Sequence, residues 1–200
     1  MLNNHSQTES ILYHVIIDNS KSMQVYQPEL YIMLSKHLQN LHKSIIAQEK
    51  LIHISCSYFN SENLGFEDSY APTIKFLKKS KNLKLSGNTN IFDALTENLE
   101  YLSQKLERPE LKKITKIYLA LISDGHENKS NKITAKELNE KLKTFRKNHS
   151  AEFIILSGIF HDLDCDIKLI IPSMAQYEKD NTRVQNAFDN LIKYICGYQV

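Results

Sequence analysis

The residues of this sequence best placed to do chemistry carry oxygen. Asp18, Ser20 and Ser22 alternate along Asp18-Asn19-Ser20-Lys21-Ser22-Met23, directly after the apolar run ILYHVII. Asp124 opens Asp124-Gly125-His126-Glu127-Asn128 after the run KIYLALIS, and Thr89 stands in Gly87-Asn88-Thr89-Asn90-Ile91, where a loop enters a leucine stripe. Carboxylates and hydroxyls with no thiol or second imidazole among them form an oxygen-only donor set. Hard cations prefer such a set, whereas zinc would ask for nitrogen or sulfur. The ion this chemistry predicts is Mg²⁺, with Mn²⁺ and Ca²⁺ as alternatives. Taken singly, Asp18 and Asp124 would read as caps, because an Asp ahead of a helix satisfies free amides without a metal. Binding and capping can also coexist.

Residues so far apart in sequence make one site only if the fold gathers them. Four short apolar runs read as strands: Ile11 to Ile17, Leu51 to Phe59, Lys116 to Ile122 and Glu152 to Phe160. Three of them, ILYHVII, KIYLALI and EFIILSGIF, are nearly continuous in apolar residues, as strands covered on both faces are. Helical stripes alternate with them. Pro28 suits a first turn, and Leu30, Leu34, Leu38, Leu41 and Ile45 follow at helical spacing. Leu95, Leu99, Leu102 and Leu106 form a second stripe ending near Pro109, and Val184, Phe188, Leu191 and Ile195 a last one. Between these two, Thr134 and Glu137 have capping-box spacing ahead of Ala135, Leu138, Leu142 and Phe145.

This alternation predicts an α/β fold with a doubly wound, mostly parallel central sheet and helices on both faces, Rossmann-like in plan. Ligands of such sheets bind beyond the carboxyl ends of the strands. Asp18 and Asp124 both fall at that edge. The stretch from Asn60 to Gly87 fits least well, with a short edge strand expected around Thr73 to Leu77. Residues 1–10 read as a flexible arm and residues 11–200 as one domain.

With these segments in order, the sequence resembles a von Willebrand factor A (vWA) domain carrying a metal-ion-dependent adhesion site (MIDAS), of the stand-alone intracellular type. Asp18, Ser20 and Ser22 meet the family's D-x-S-x-S, Thr89 its isolated threonine and Asp124 its later aspartate. The resemblance runs from the first strand to the closing helix. It implies that Ser20, Ser22 and Thr89 hold a metal through their hydroxyls, that Asp18 and Asp124 act directly or through water, and that a position stays open for an Asp or Glu of a partner protein. It also implies an adaptor role, in settings that include AAA+ ATPases and stress-response complexes. Lys21 departs from the family pattern, since many members have Gly or another small residue there; solvation is the plain reading of its side chain.

Other classes fit less well. A phosphotransferase of the haloacid dehalogenase type would use Asp18 as nucleophile but needs a second acid two residues on, and Ser20 cannot shuttle a proton near neutrality. Neither G-x-G-x-x-G nor a Walker A sequence follows any strand. The formal charge of +2 is far from that of a dedicated nucleic-acid binder. The Lys-rich run Lys75, Lys78, Lys79, Lys81 and Lys84 reads as a solvated face, with steering of acidic partners as the functional alternative. His126 has no second ligand at zinc spacing and reads as a solvated or rim residue, and His14 as a core or interface imidazole with one hydrogen bond. His161 to Asp166 imitates an EF-hand loop, but Ile167 and Ser173 stand where Gly and Glu are required. Cys56, Cys165 and Cys196 form neither a disulfide framework nor a zinc pair and read as reduced, buried thiols. Met1 to Ser10 has no apolar core of a secretory signal, and no apolar run reaches membrane-spanning length. The expectation is a cytoplasmic, non-enzymatic protein with no nucleic-acid or membrane partner.

Overall fold

A computed structural model describes residues 9–26, 29–62, 64–69, 85–125, 130–157, 163–169 and 182–198. In chain order the elements are β1 (Ser10–Asp18), α1 (Glu29–Ile46), β2 (Leu51–Phe59), β3 (Leu64–Ser69), α2 (Ile91–Leu106), β4 (Lys116–Ser123), α3 (Ala135–His149), β5 (Ala151–Ser157), β6 (Ile167–Leu169) and α4 (Thr182–Ile195). Short 3-10 turns at Lys21–Val25 and Pro109–Leu111 follow β1 and α2. The six strands form one sheet in the order β3-β2-β1-β4-β5-β6, in which all neighbours are parallel except β2 and β3. From β1 the chain moves outward first to β2 and β3, then returns across β1 to β4. The strand order therefore reverses between β1 and β4, which is where such sheets open a crevice at their carboxyl edge.

Side chains alternate between the two faces of a strand, and the two cores follow that period. Ile11, Tyr13, Val15 and Ile17 of β1 pack with Ile52, Ile54, Ile122 and Leu156 beneath α1 and α4. Leu12 and Ile16 pack with Leu119, Leu121, Phe153 and Ile155 beneath α2 and α3. Asp18 continues the even-numbered set and Ser123 the odd-numbered set of β4, so both fall on the face covered by α2. α3 begins with the expected capping box, Thr134 and Glu137 exchanging hydrogen bonds with each other's backbone amides.

Two edge strands escape the sequence pattern. The antiparallel β3 carries glycine at Gly65, where a Cβ would come within 2.3 Å of the Tyr58 ring, and the three-residue β6 is too short for any periodicity. β1 begins at Ser10, one residue before the apolar run, and Glu9 ahead of it pairs with Lys50 at 2.7 Å. β5 begins at Ala151 and is described to Ser157. Residues 1–8, Pro28, the strand expected at Thr73 to Leu77, the Lys-rich run, His126, and His161 with Asp162 lie outside the described residues. The acidic turn is held through its last members: Arg146 of α3 reaches Asp164 and Asp166, each at 3.2 Å. All three cysteines are free, but Cys165 is only half-buried. Among the described residues no helix is long and apolar enough to cross a membrane.

His14 makes more than the single hydrogen bond expected of it. Asn98 of α2 donates its Nδ2 to Ala94 O at 2.8 Å, so its Oδ1 is an acceptor. That oxygen takes Ser57 Oγ at 2.6 Å and His14 Nε2 at 2.7 Å, and His14 Nδ1 lies 2.7 Å from Ser55 Oγ. The acceptor assigns the ring proton to Nε2. This fully buried network joins β1, β2 and α2 and fixes the helix along the sheet. Removing Asn98 Oδ1 would take the close acceptor from two buried donors and leave His14 Nε2 the longer 3.4 Å contact with Ser57 Oγ, so Asn98→Ala should lower stability by about 2–4 kcal/mol. Urea denaturation should show an earlier midpoint with an unchanged slope.

Candidate metal centre

Register brings the first pair of residues together. Ile17 of β1 is level with Ile122 of β4, so the next residues, Asp18 and Ser123, stand side by side at the strand ends. Ser123 Oγ donates to Asp18 Oδ2 at 2.7 Å and accepts from Gly125 N at 3.1 Å. On its other side, Asp18 Oδ1 accepts from Ser20 N at 2.8 Å, and the Ser20 side chain also hydrogen-bonds the carboxylate. Ser20 Oγ lies 3.0 Å from Ser22 Oγ. One oxygen of Asp18 thus turns the chain after β1 and does not cap the 3-10 turn, whose N-cap is Ser20, while the carboxylate also takes the hydroxyls of Ser123 and Ser20.

The two remaining segments close around this group. Asn19 N donates to Phe59 O at 2.7 Å, tying the first loop to the end of β2, and Lys21 N donates to Gly87 O at 3.3 Å, tying it to the loop that carries Thr89. Lys21 is exposed and Thr89 is buried. Gly87 has φ +72°, and a Cβ there would meet Ser61 Oγ at 2.7 Å, so the turn admits only glycine without displacement. Asp124, also buried, follows Ser123 directly and lies near enough to Asp18 for its charge to be felt there. Asp18, Ser20, Ser22 and Asp124 are therefore brought together, and the loop bearing Thr89 is bonded to their rim.

Burial dominates the electrostatics. Asp18 is 1% exposed. Its desolvation pushes the carboxyl up from 3.8 to about 6, against the hydrogen bonds from Ser123 and Ser20, and the charge of Asp124 adds to the rise. Tyr26, in the turn after Ser22, is likewise raised, first by burial and then by Asp124.

No family model and no curated protein matches the sequence. Solved structures do. The SpRpn10 VWA domain superposes with a TM-score of 0.59 at 16% identity, over 82% of this chain and 88% of that one. Proximal thread matrix protein 1 from the mussel byssus gives 0.58 at 12% identity, over 94% of this chain and 47% of that one. The open conformation of the pilus adhesin SpaC from Lactobacillus rhamnosus GG gives 0.62 at 11% identity, over 94% and 30%. The chain has the von Willebrand factor A fold.

The donor set of this vWA fold suits a hard cation. Two oxygens in adjacent positions of an octahedron with bonds of 2.0–2.1 Å lie about 2.9 Å apart. The 3.0 Å between Ser20 Oγ and Ser22 Oγ matches that spacing. Among the described residues no three His, Cys, Asp or Glu side chains cluster as a metal site; the candidate centre offers two carboxylates beside its hydroxyls. Sequence reasoning missed Ser123 and Tyr26. The first could have been noticed as a polar residue ending a buried apolar strand, whereas nothing local marks the second.

A carboxyl raised in the folded state favours folding where it is protonated, below pH 3.8, and that contribution disappears as pH rises through about 6. In the metal-free protein at neutral pH, the buried charge therefore costs about 3 kcal/mol relative to a neutral group. Asn can keep both neighbours, accepting from Ser20 N and donating to Ser123 Oγ. Asp18→Asn should consequently melt higher than wild type at pH 7 in chelator, with the difference shrinking toward pH 4. Melting curves across that range check this.

Proposed function

We propose that this domain holds Mg²⁺ through Ser20, Ser22 and Thr89, with Asp18 and Asp124 acting directly or through water, and that it binds a partner protein by an Asp or Glu presented to that ion. The observation carrying this reading is the paired hydroxyls of Ser20 and Ser22 beside the buried Asp18 carboxylate, at the reversal of strand order. A divalent ion there supplies a concentrated positive charge with room for one more acidic ligand. The chain's own residues do the rest. Ser123 and the Ser20 amide aim the Asp18 carboxylate, and the close stacking of three loops excludes water from all but the rim. Limiting the site to two carboxylates leaves the ion electrophilic toward an incoming acid.

Recognition is the use that this arrangement favours over turnover. A phosphotransferase would need a titrating acid where Ser20 stands, and that hydroxyl is engaged by Ser22 and Asp18. The neighbours in fold include a pilus adhesin and a matrix protein by name, which agrees with a binding role. Mn²⁺ and Ca²⁺ are the alternatives that accept the same oxygen donors. An adaptor in the cytoplasm, working beside an AAA+ ATPase or within a stress-response complex and not on nucleic acid or membrane, is the setting we infer.

Calorimetry with Mg²⁺ and Mn²⁺ tests the ion: wild type should bind, Asp18→Ala should not, and circular dichroism of the mutant should be unchanged. Proteins captured from lysate in Mg²⁺ should be released by chelator and bind Thr89→Ala at least about tenfold more weakly, a loss of ~1.4 kcal/mol. Equal capture in all three conditions would assign recognition to another face. Chelator-sensitive hydrolysis of phosphomonoesters, abolished by Asp18→Asn, would turn the reading to an enzyme.

A further inference from the structure

Asn90 occupies the N-cap position of α2, directly after Thr89, yet its side chain makes no cap hydrogen bond. An N-cap Asn ordinarily accepts from the amides two and three residues on, here Phe92 and Asp93. Both amides are taken by another segment instead: Ser130 Oγ accepts from Phe92 N at 3.0 Å and from Asp93 N at 3.2 Å. The exchange is reciprocal, because the buried Asp93 carboxylate accepts from Asn131 N and Lys132 N, each at 3.1 Å. The helix start is thus capped from outside and locked to the segment after β4. Asn90 Oδ1 is released from the role its position assigns it. That oxygen is shielded from solvent and has no hydrogen-bond partner.

A buried amide oxygen left unpaired is costly, and such groups call for an explanation in function or in a bound species. Its place in the chain supplies one. On the preceding side, Asn88 is pinned to the loop after β2, with Ser61 N donating to Asn88 O at 2.8 Å and Ser61 Oγ accepting from Asn88 N at 2.9 Å. On the following side, Ser130 and Asp93 hold the first turn of α2. Thr89 and Asn90 are the two residues between these anchors, and both present side-chain oxygens out of reach of solvent. We propose that Asn90 is a further residue of the metal centre, its amide oxygen serving the ion's coordination sphere as an acceptor for a metal-bound water or as a ligand, and that Ser130 is the positioning residue that frees it for this. The inference rests on the metal-binding reading above.

Stability and affinity should move in opposite directions. If Asn90 served as an ordinary cap, Asn90→Ala would lower the melting temperature and leave metal affinity alone. If its oxygen serves the ion, Asn90→Ala should keep or raise the melting temperature in chelator while weakening Mn²⁺ binding about tenfold, the size of loss usual for residues supporting a metal's ligands. Ser130→Ala should also weaken Mn²⁺, since Asn90 then becomes the only cap available, and Ser130→Thr, which keeps the accepting oxygen, should restore affinity. Calorimetric titration with Mn²⁺, well below the melting temperature, reads all three variants on the full chain. Wild-type affinity in Asn90→Ala, or a lowered melting temperature there, overturns the proposal while the metal site stands. Absence of Mn²⁺ binding by the wild-type chain removes the metal reading and this inference with it.

Discussion

A carboxylate held out of water at the end of a central strand needs neighbours, and much of the carboxyl edge of this sheet is arranged to supply them to Asp18. Ser123 donates to one oxygen and Ser20 to the other, from the two segments that flank the reversal of strand order. Neither donor is charged. Their hydrogen bonds oppose the rise that burial imposes on the carboxyl but do not cancel it. The result is a group whose ionised form is stabilised too little by the protein alone. A cation would be the natural complement of such a group, which is the physical ground of the proposed metal reading.

The same constraint links stability to function. A core built only for stability would put an apolar residue or an amide at this position, as burying a charge without a full partner is expensive. Retaining Asp there makes sense if a bound ion offsets the cost, so that the folded state gains most when the site is filled. Asn90 follows the same logic on a smaller scale, as a buried polar atom whose local partners have been given to another side chain.

Around this edge the fold acts as a frame. The Asn98, His14, Ser55 and Ser57 network sets the height of α2 on the sheet, and the position of Thr89 at the mouth of that helix follows from it. Hydroxyl and amide contacts then join the loops after β1, β2 and β4 to one another through the segment from Gly87 to Asp93. Rigid elements set where the oxygens can be, and short polar contacts between loops set their separation.

The sequence by itself was enough for the α/β alternation, the parallel buried strands, the capping box at Thr134 and the edge at which Asp18 and Asp124 emerge. Each of these depends on residues close in the chain: apolar runs, helical stripes and a three-residue cap leave periodic or local marks. It did not determine β3 and β6, whose edge positions and short lengths leave weak patterns, nor the second hydrogen bond of His14, whose partners come from β2 and α2. Nor could it identify Ser123 as the donor to Asp18, since the two are joined by the register of β1 against β4 and not by spacing. The exchange of caps between Asn90 and Ser130 was equally out of reach. An Asn before a helix looks the same in sequence whether it caps that helix or has been relieved of the task, and only the packing of the segment after β4 against α2 decides which oxygen the amides receive.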